Sequence, residues 1–429
     1  MQKYMRWTAI LAVMLLVLAA CNGGGETTGA SESAAASASA GASVLDPAAA
    51  CAADEFGCAE VAAGADITLG TALVITTADA DLGQDSQYGA VVAGNLVNDD
   101  GGLFGHNIAW DHQDDQCASE GGTTAARALV ADPTIVAVIG TSCSSAGIPA
   151  AQITSEAGVL MVSPSNTAPS LTAPETHEPF YARTAHNDKV QGAAMATFAC
   201  EELGVTTAAT VHDGSAYAEQ LQQVFADEFE AMCGEITAQE AVAPTDTDFR
   251  TVLTTIAATG PELIYYPIFT QGGALMTQQA RENPDLDGVE LAGADGMQSQ
   301  TFLTTAGAAG DGVYTSGPDL AFPGSFYEEE FLPAYYELCN CDQTLSVFHA
   351  HGFDAANLIF EAIKKVGLEG DDGTLYIPRT ALKDAFFETA DYAGITGTLT
   401  CDENGDCADP KISVSLIGGG AYERIWPEE

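Results

Sequence analysis

Basic residues are the scarcest feature of this chain: 13 Lys and Arg stand against 60 Asp and Glu in 429 residues, a formal net charge of −47. Nucleic-acid binding needs a basic footprint, so that class of function is excluded. An anionic membrane surface would repel such a body. The acidity reads in two ways, as a well-solvated surface or as adaptation to high salt, because so many carboxylates self-repel in dilute buffer. A membrane-spanning run is also missing. The strongly apolar stretch from Trp7 to Ala20 is only about 14 residues, too short to cross a ~30 Å hydrocarbon core as a helix. Catalytic signatures are absent as well. There is no GxSxG elbow, HExxH pair or P-loop, and no CxxC…CxxC or Cys/His cluster with zinc spacing. Neither enzyme activity nor a cofactor is expected.

What the start of the chain does have is Lys3 and Arg6, the apolar stretch, and then Leu18-Ala19-Ala20-Cys21. That order reads as a secretory signal. Small-small-Cys resembles the lipobox of bacterial lipoproteins, which implies a signal peptide over 1–20 and lipidation of Cys21. The competing reading is an ordinary secretory signal with an incidental cysteine. From Asn22 to about Ala50 the chain is almost entirely Gly, Ala, Ser and Thr. Such a composition buries too little surface to offset its ordering entropy, so 21–65 is expected to be the lipidated cysteine and a flexible linker. The globular part is expected to start near Asp66, and about 360 residues suggest two lobes.

Of the eleven cysteines, ten remain once Cys21 is set aside. An even number fits an exported, disulfide-bonded chain. Proximity suggests Cys51–Cys58 and Cys401–Cys407, with Cys117–Cys143 and Cys200–Cys233 as candidate longer links. Cys339 and Cys341 are left over, and a bridge across one intervening residue is strained. Sequence leaves this connectivity open.

Strand-like and helix-like segments alternate from Asp66 onward, and several strands, such as Ile135–Gly140 and Leu160–Ser163, are continuous apolar runs. That pattern predicts a doubly wound α/β fold with parallel sheets. Near the C-terminus, Gly397–Thr400 and Ile412–Ile417 flank an Asp/Asn/Gly turn and read as an antiparallel hairpin. Ligands of open α/β sheets sit at the carboxyl ends of strands, beside helix starts. The loop Thr141-Ser142-Cys143-Ser144-Ser145 and the loop Pro164-Ser165-Asn166-Thr167 therefore stand out as hydroxyl-rich anion sites without Lys or Arg. Asp213, Tyr217 and Asp295 follow later strands, where a carboxylate and a phenol can receive an ammonium group.

These residues carry a likeness. From Asp66 to Ile425 the chain resembles the Leu/Ile/Val-binding type of extracytoplasmic solute-binding protein that serves ABC importers. The matches include Gly83-Gln84-Asp85-Ser86-Gln87-Tyr88-Gly89, Val138-Ile139-Gly140-Thr141-Ser142-Cys143-Ser144-Ser145, Ser163-Pro164-Ser165-Asn166-Thr167-Ala168-Pro169, Tyr181-Ala182-Arg183-Thr184 and His212-Asp213-Gly214-Ser215-Ala216-Tyr217. The resemblance implies two doubly wound parallel-sheet lobes joined by a three-strand hinge, with a ligand cleft between them. It implies lobe 1 at 66–184 plus 318–368 and lobe 2 at 185–317 plus 369–429. Carried over, Ser144 and Thr167 would hold the α-carboxylate through their hydroxyls, assisted by the Ser165 backbone, and Tyr217 and Asp295 would hold the α-ammonium. Tyr88, Ser142, Cys143 and Phe348 would line the pocket. It also pairs Cys143 with Cys117. Two departures are visible: Asp295 stands where the family commonly has Glu, and Ala78-Asp79-Ala80-Asp81-Leu82 replaces a Pro/Gly-rich run.

The implied function is a lipid-anchored extracytoplasmic receptor. It would bind an apolar or branched-chain amino acid by lobe closure and deliver it to an ABC permease. The implied protein is a monomer held at a bacterial membrane through Cys21. Other readings are the same fold binding an amide, urea or aromatic acid, a sensory ectodomain, and a metal-dependent hydrolase using His349 and His351 with Asp354 nearby. On the expected helix from His351 to Lys365, the two imidazoles would point apart.

Overall fold

The computed structural model describes residues 46–427. The signal sequence, Cys21 and most of the proposed linker lie outside the described residues. Two sheets organise the body. The first has five parallel strands in the order Ile108–Asp114, Ile67–Leu73, Ile135–Gly140, Leu160–Ser163 and Tyr181–Arg183. The second has seven strands. Val313–Pro318, Glu290–Gly293, Leu263–Tyr265, Thr207–His212 and Glu235–Ala241 run parallel, and Ile412–Gly418 and Ala421–Trp426 add antiparallel at one edge. All six residues of Ile135–Gly140 and all four of Leu160–Ser163 are buried. Covered faces on both sides explain why those strands are unbroken apolar runs. The chain passes between the sheets after Arg183, after Pro318 and before Ile412, which gives the three-strand hinge.

Three expectations about organisation are revised. Ordered structure begins well before Asp66, with helix Pro47–Ala53 and strand Cys58–Val61, which pairs antiparallel with Leu375–Pro378. Asp54 fixes this segment by accepting the N–H groups of Thr380 and Ala381 at the start of helix Arg379–Phe387. These partners lie more than three hundred residues away, beyond the reach of local composition. Secondly, Leu375, Ile377, Leu382, Phe386 and Leu399 join the core of the first sheet. Of the segment assigned to lobe 2 after 369, only the strands from Ile412 to Trp426 enter the second sheet. Finally, the hairpin between 397–400 and 412–417 does not form. Thr398–Leu399 pairs with Tyr392–Ala393, while Ile412–Gly418 turns at Gly419-Gly420 and pairs with Ala421–Trp426. Both glycines have positive φ, 61° and 80°, a conformation that suits a tight turn and that other residues rarely adopt.

All five disulfides are formed: Cys51–Cys58, Cys117–Cys143, Cys200–Cys233, Cys339–Cys341 and Cys401–Cys407. The leftover cysteines thus pair with each other, at a Cα separation of 5.2 Å. Helices Ala80–Asp99 and His349–Val366 pack closely because Gly89 and Gly352 face the other helix's backbone. A Cβ on Gly89 would collide with the carbonyl of His349, and one on Gly352 with that of Ser86. This approach lets buried Asp85 accept the N–H of Phe348 at 2.8 Å and the O–H of Tyr335 at 2.6 Å, with His349 Nδ1 at 3.2 Å. The imidazole holds the Asp85 carboxyl below its ordinary range despite burial.

Candidate ligand-binding site

Two loops at the carboxyl ends of the first sheet form one wall. The hydroxyl of Ser144, the first residue of helix Ser144–Glu156, accepts the N–H of Ala168 at 3.2 Å and so joins the loops. Thr167 is buried, and its hydroxyl has no hydrogen-bond partner. The hydroxyls of Ser142, expected to line the pocket, and of Ser165, expected at the carboxylate through its backbone, are both engaged inside the wall. Ser142 Oγ accepts the N–H of Val74 at 2.9 Å, and Ser165 Oγ donates to the Ser142 carbonyl at 3.0 Å. Their hydroxyls hold the wall together. Asp115 supports it from behind, accepting Ser142 N–H at 2.6 Å and Cys117 N–H at 2.7 Å. One carboxylate thus braces both ends of the Cys117–Cys143 link, and burial pushes its carboxyl up to about 7.

Arg183 fixes the second loop. Fully buried, it donates to the carbonyls of Asn166 at 3.1 Å and Ala168 at 3.0 Å, on either side of Thr167. It also pairs with Asp406 and bonds the Thr172 hydroxyl. Its donors are therefore occupied within the scaffold.

The facing wall comes from the second sheet. Tyr217, on helix Ala216–Met232, donates its O–H to Asp295 Oδ1 at 2.8 Å and accepts the N–H of Gly296 at 3.2 Å. Gln191 donates to the same Asp295 oxygen at 2.7 Å. Beside them lies Asp188, fully buried, with neither carboxylate oxygen hydrogen-bonded. Desolvation and then the charge of Asp295 drive the Asp188 carboxyl well above its ordinary range; desolvation likewise raises Asp295. Two buried carboxylates share a site whose neighbouring cation, Arg183, is already occupied. The walls meet through Ser145 Oγ, which accepts Ala216 N–H at 2.9 Å. Beside this Ser145 contact an interlobe cavity of about 420 Å3 is lined by Asp79, Ser145, Asp213 and Phe269; Ser144, Thr167, Asp188, Tyr217 and Asp295 do not line it.

An apolar cluster lies alongside: Val74, Leu82, Cys143, Ala185, Val347 and Phe348, with Phe269 and Leu320 against it. Phe348 and Cys143 belong to this cluster, and Tyr88 does not. Its ring stands edge-on to Tyr335 at 5.9 Å, against the core of the first lobe, and Leu82 occupies the apolar cluster. Six positions along a helix turn a side chain well away from the original face, so Tyr88 and Leu82 cannot share one. The paired imidazoles are also separated. His349 engages Asp85 through Nδ1 and Tyr327 through Nε2, whereas burial lowers His351 to about 3 and keeps it neutral. Asp354 instead accepts the N–H groups of Ile395 and Thr396. Sequence reasoning missed Asp188 and Gln191. The usable signal was Asp188, Gln191, Gly192 and Met195 at helical spacing.

Two α/β lobes with a buried, charge-bearing site between them define a small-molecule binding protein. A family model described as periplasmic binding protein matches residues 66–407, and the chain belongs to that family, one of solute-binding proteins and not of enzymes. It is 28% identical over 359 residues to Leu/Ile/Val-binding protein homolog 3 of Brucella melitensis, covering 82% of this chain and 92% of that protein. It is also 28% identical over 332 residues to the leucine-, isoleucine-, valine-, threonine- and alanine-binding protein of Pseudomonas aeruginosa, covering 77% and 84%. In fold it is similar to a leucine-binding protein of Thermotoga maritima, at TM-score 0.74 and 22% identity over 84% of this chain and 97% of the other. A Rhodopseudomonas palustris solute-binding protein in complex with benzoate is similar at TM-score 0.71 and 22% identity, over 84% and 95%.

Proposed function

We propose that this chain is the extracytoplasmic receptor of an ABC importer and captures an apolar α-amino acid between its lobes. The observation that carries the reading is the pair Asp188 and Asp295, two buried carboxylates without a free cation. Burial of like charges is costly unless a cation arrives, and an α-ammonium supplies one. Ser144 and Thr167 offer hydroxyls without charge to the α-carboxylate. The cluster around Leu82, Phe348 and Phe269 suits an aliphatic side chain. Closure then follows from a zwitterion whose two ends need opposite walls. The names of the relatives support the same class of solute. Benzoate-like acids, amides and urea lack an ammonium and would leave the carboxylates uncompensated.

Lys3, Arg6, the apolar stretch and Ala19-Ala20-Cys21 support export and a lipid anchor on Cys21. On this reading the receptor is a monomer tethered to a bacterial membrane beside its permease.

A thermal-shift panel of amino acids, amides, urea, polyamines and aromatic acids tests the proposal. Apolar L-amino acids should raise the melting temperature through mass action, and aromatic acids should not. Shifts confined to compounds without an α-ammonium would overturn it.

A further inference from the structure

The segment Ala78-Asp79-Ala80-Asp81-Leu82 leads from the first sheet into helix Ala80–Asp99. Both of its acids reach the opposite lobe. Asp79 Oδ1 accepts the N–H of Thr270 at 3.2 Å. Thr270 opens helix Thr270–Arg281, whose own cap residue Phe269 supplies no side-chain acceptor. Asp81 Oδ2 accepts the N–H of Thr301 at 2.8 Å. Thr301 lies at the start of the short helix Gln300–Ala306. Among the described residues, neither carboxylate bonds to Ser144, Thr167, Asp188, Tyr217 or Asp295.

We propose that Asp79 and Asp81 are a latch that holds the lobes closed over the bound solute. The inference rests on the reading of the chain as a receptor that closes. Apart, both carboxylates and both N–H groups are hydrated; together, each carboxylate caps a backbone donor that has no partner from its own helix. Charge-assisted bonds of this kind are stronger than neutral ones; at Asp79 desolvation raises the carboxyl to about 6, and the bonds from Thr270 offset part of that cost. Because they exist only in the closed form, their whole contribution falls on the closed population. Ser145 and Ala216 make a neutral bond across the same gap; the acids add the charged part. Their effect is on release, since association begins from the open form.

The test compares the full chain with Asp79→Ala, Asp81→Ala, the double variant and Asp79→Asn, using L-leucine as the probe. Stopped-flow should show release accelerated ~10-fold by each alanine, with association changed less than about 2-fold. Asn keeps an acceptor and should restore part of the slow release. The melting temperature of the ligand-free protein should not move, whereas a merely structural role would lower it. Distances between spin labels on the two lobes, measured without ligand, should show a smaller closed fraction in the double variant. Unchanged release together with an unchanged closed fraction would overturn the latch. If L-leucine does not bind the wild-type chain, the receptor reading is contradicted for that solute. The ligand-free closed fraction then decides the latch alone, for or against.

Discussion

Tyr217 and Asp295 face each other across 2.8 Å, phenol to carboxylate, with both groups buried in the second lobe. The phenol occupies one lone pair of Oδ1 and Gln191 another, so the carboxylate is oriented before any ligand arrives. Such orientation removes part of the ordering cost of binding. Asp188 provides a second carboxylate whose oxygens accept no hydrogen bond, with Arg183 and Thr167 nearby offsetting part of its burial.

Neutralising either acid should therefore separate binding from stability. Asp188→Asn and Asp295→Asn should each weaken amino-acid binding roughly 100-fold, the scale for losing one partner of a buried charge pair. Each should also raise the ligand-free melting temperature, because burial and mutual repulsion disfavour both charges. Calorimetric titration and thermal melts on the same preparations check this. A variant that loses stability and keeps affinity would contradict the assignment.

Proton linkage gives a second test. Burial raises Asp115 to about 7 and Asp354 to about 6, and also raises Asp188 and Asp295. A raised carboxyl holds its proton longer in the folded chain than in the unfolded one. Its stabilisation is complete below the unfolded value and is lost as pH rises through the folded value. The ligand-free protein should thus melt higher near pH 5 than near pH 8, which lies about one unit above the higher of these folded values. Asp85 and Asp406 are lowered, and their stabilisation is lost only under more acidic conditions, as pH falls through their folded values. Binding should run the other way. An ammonium needs ionised acids, so affinity should fall as pH drops and proton release should accompany binding. Melts and titrations in buffers of different ionisation enthalpy measure both signs.

How much of this was legible follows from where each residue's partners lie. Ser144, Thr167, Tyr217 and Asp295 follow strands in sequence, so the alternating pattern and the strand-end rule point to their loops, and the resemblance picks out the residues within them. Asp188 reads as an ordinary acid in the first turn of a helix; only packing buries it against Asp295. The expectation that Tyr88 lines the pocket rests on the resemblance alone. Helical phase instead places Leu82, Asp85, Ser86 and Gly89 on the buried side. The clasp of Pro47–Ala53 and Cys58–Val61 is Ala-rich and lacks periodicity. It is held by Asp54, by Phe56 against Phe180 at 5.1 Å and by Cys51–Cys58, and two of those three contacts are distant in sequence.

Arg183 should prove indispensable to the carboxylate wall. Arg183→Met keeps volume but strands the carbonyls of Asn166 and Ala168 and leaves Asp406 without its partner. Breaking one side of such a pair costs about 3–5 kcal/mol, so chemical denaturation should show a loss of that order. Melting within about 1 °C of wild type, where ~1 kcal/mol moves a domain of this size by 2–4 °C, would argue against the role.

The acidic surface predicts a salt response. With 60 acidic and 13 basic residues, self-repulsion weakens as ionic strength rises. The melting temperature should climb between about 0.1 and 1 M KCl, where the Debye length contracts from ~10 to ~3 Å. A flat or falling profile would contradict a net repulsive surface.

The central claim is that Asp188 and Asp295 select an α-ammonium. Calorimetric titration with L-leucine, isocaproate and leucinamide tests it most directly, since the analogues remove the ammonium or the carboxylate and keep the side chain. The account predicts that isocaproate loses at least ~100-fold in affinity relative to L-leucine, and that Asp188→Asn narrows this gap. Isocaproate binding as tightly as L-leucine would contradict it.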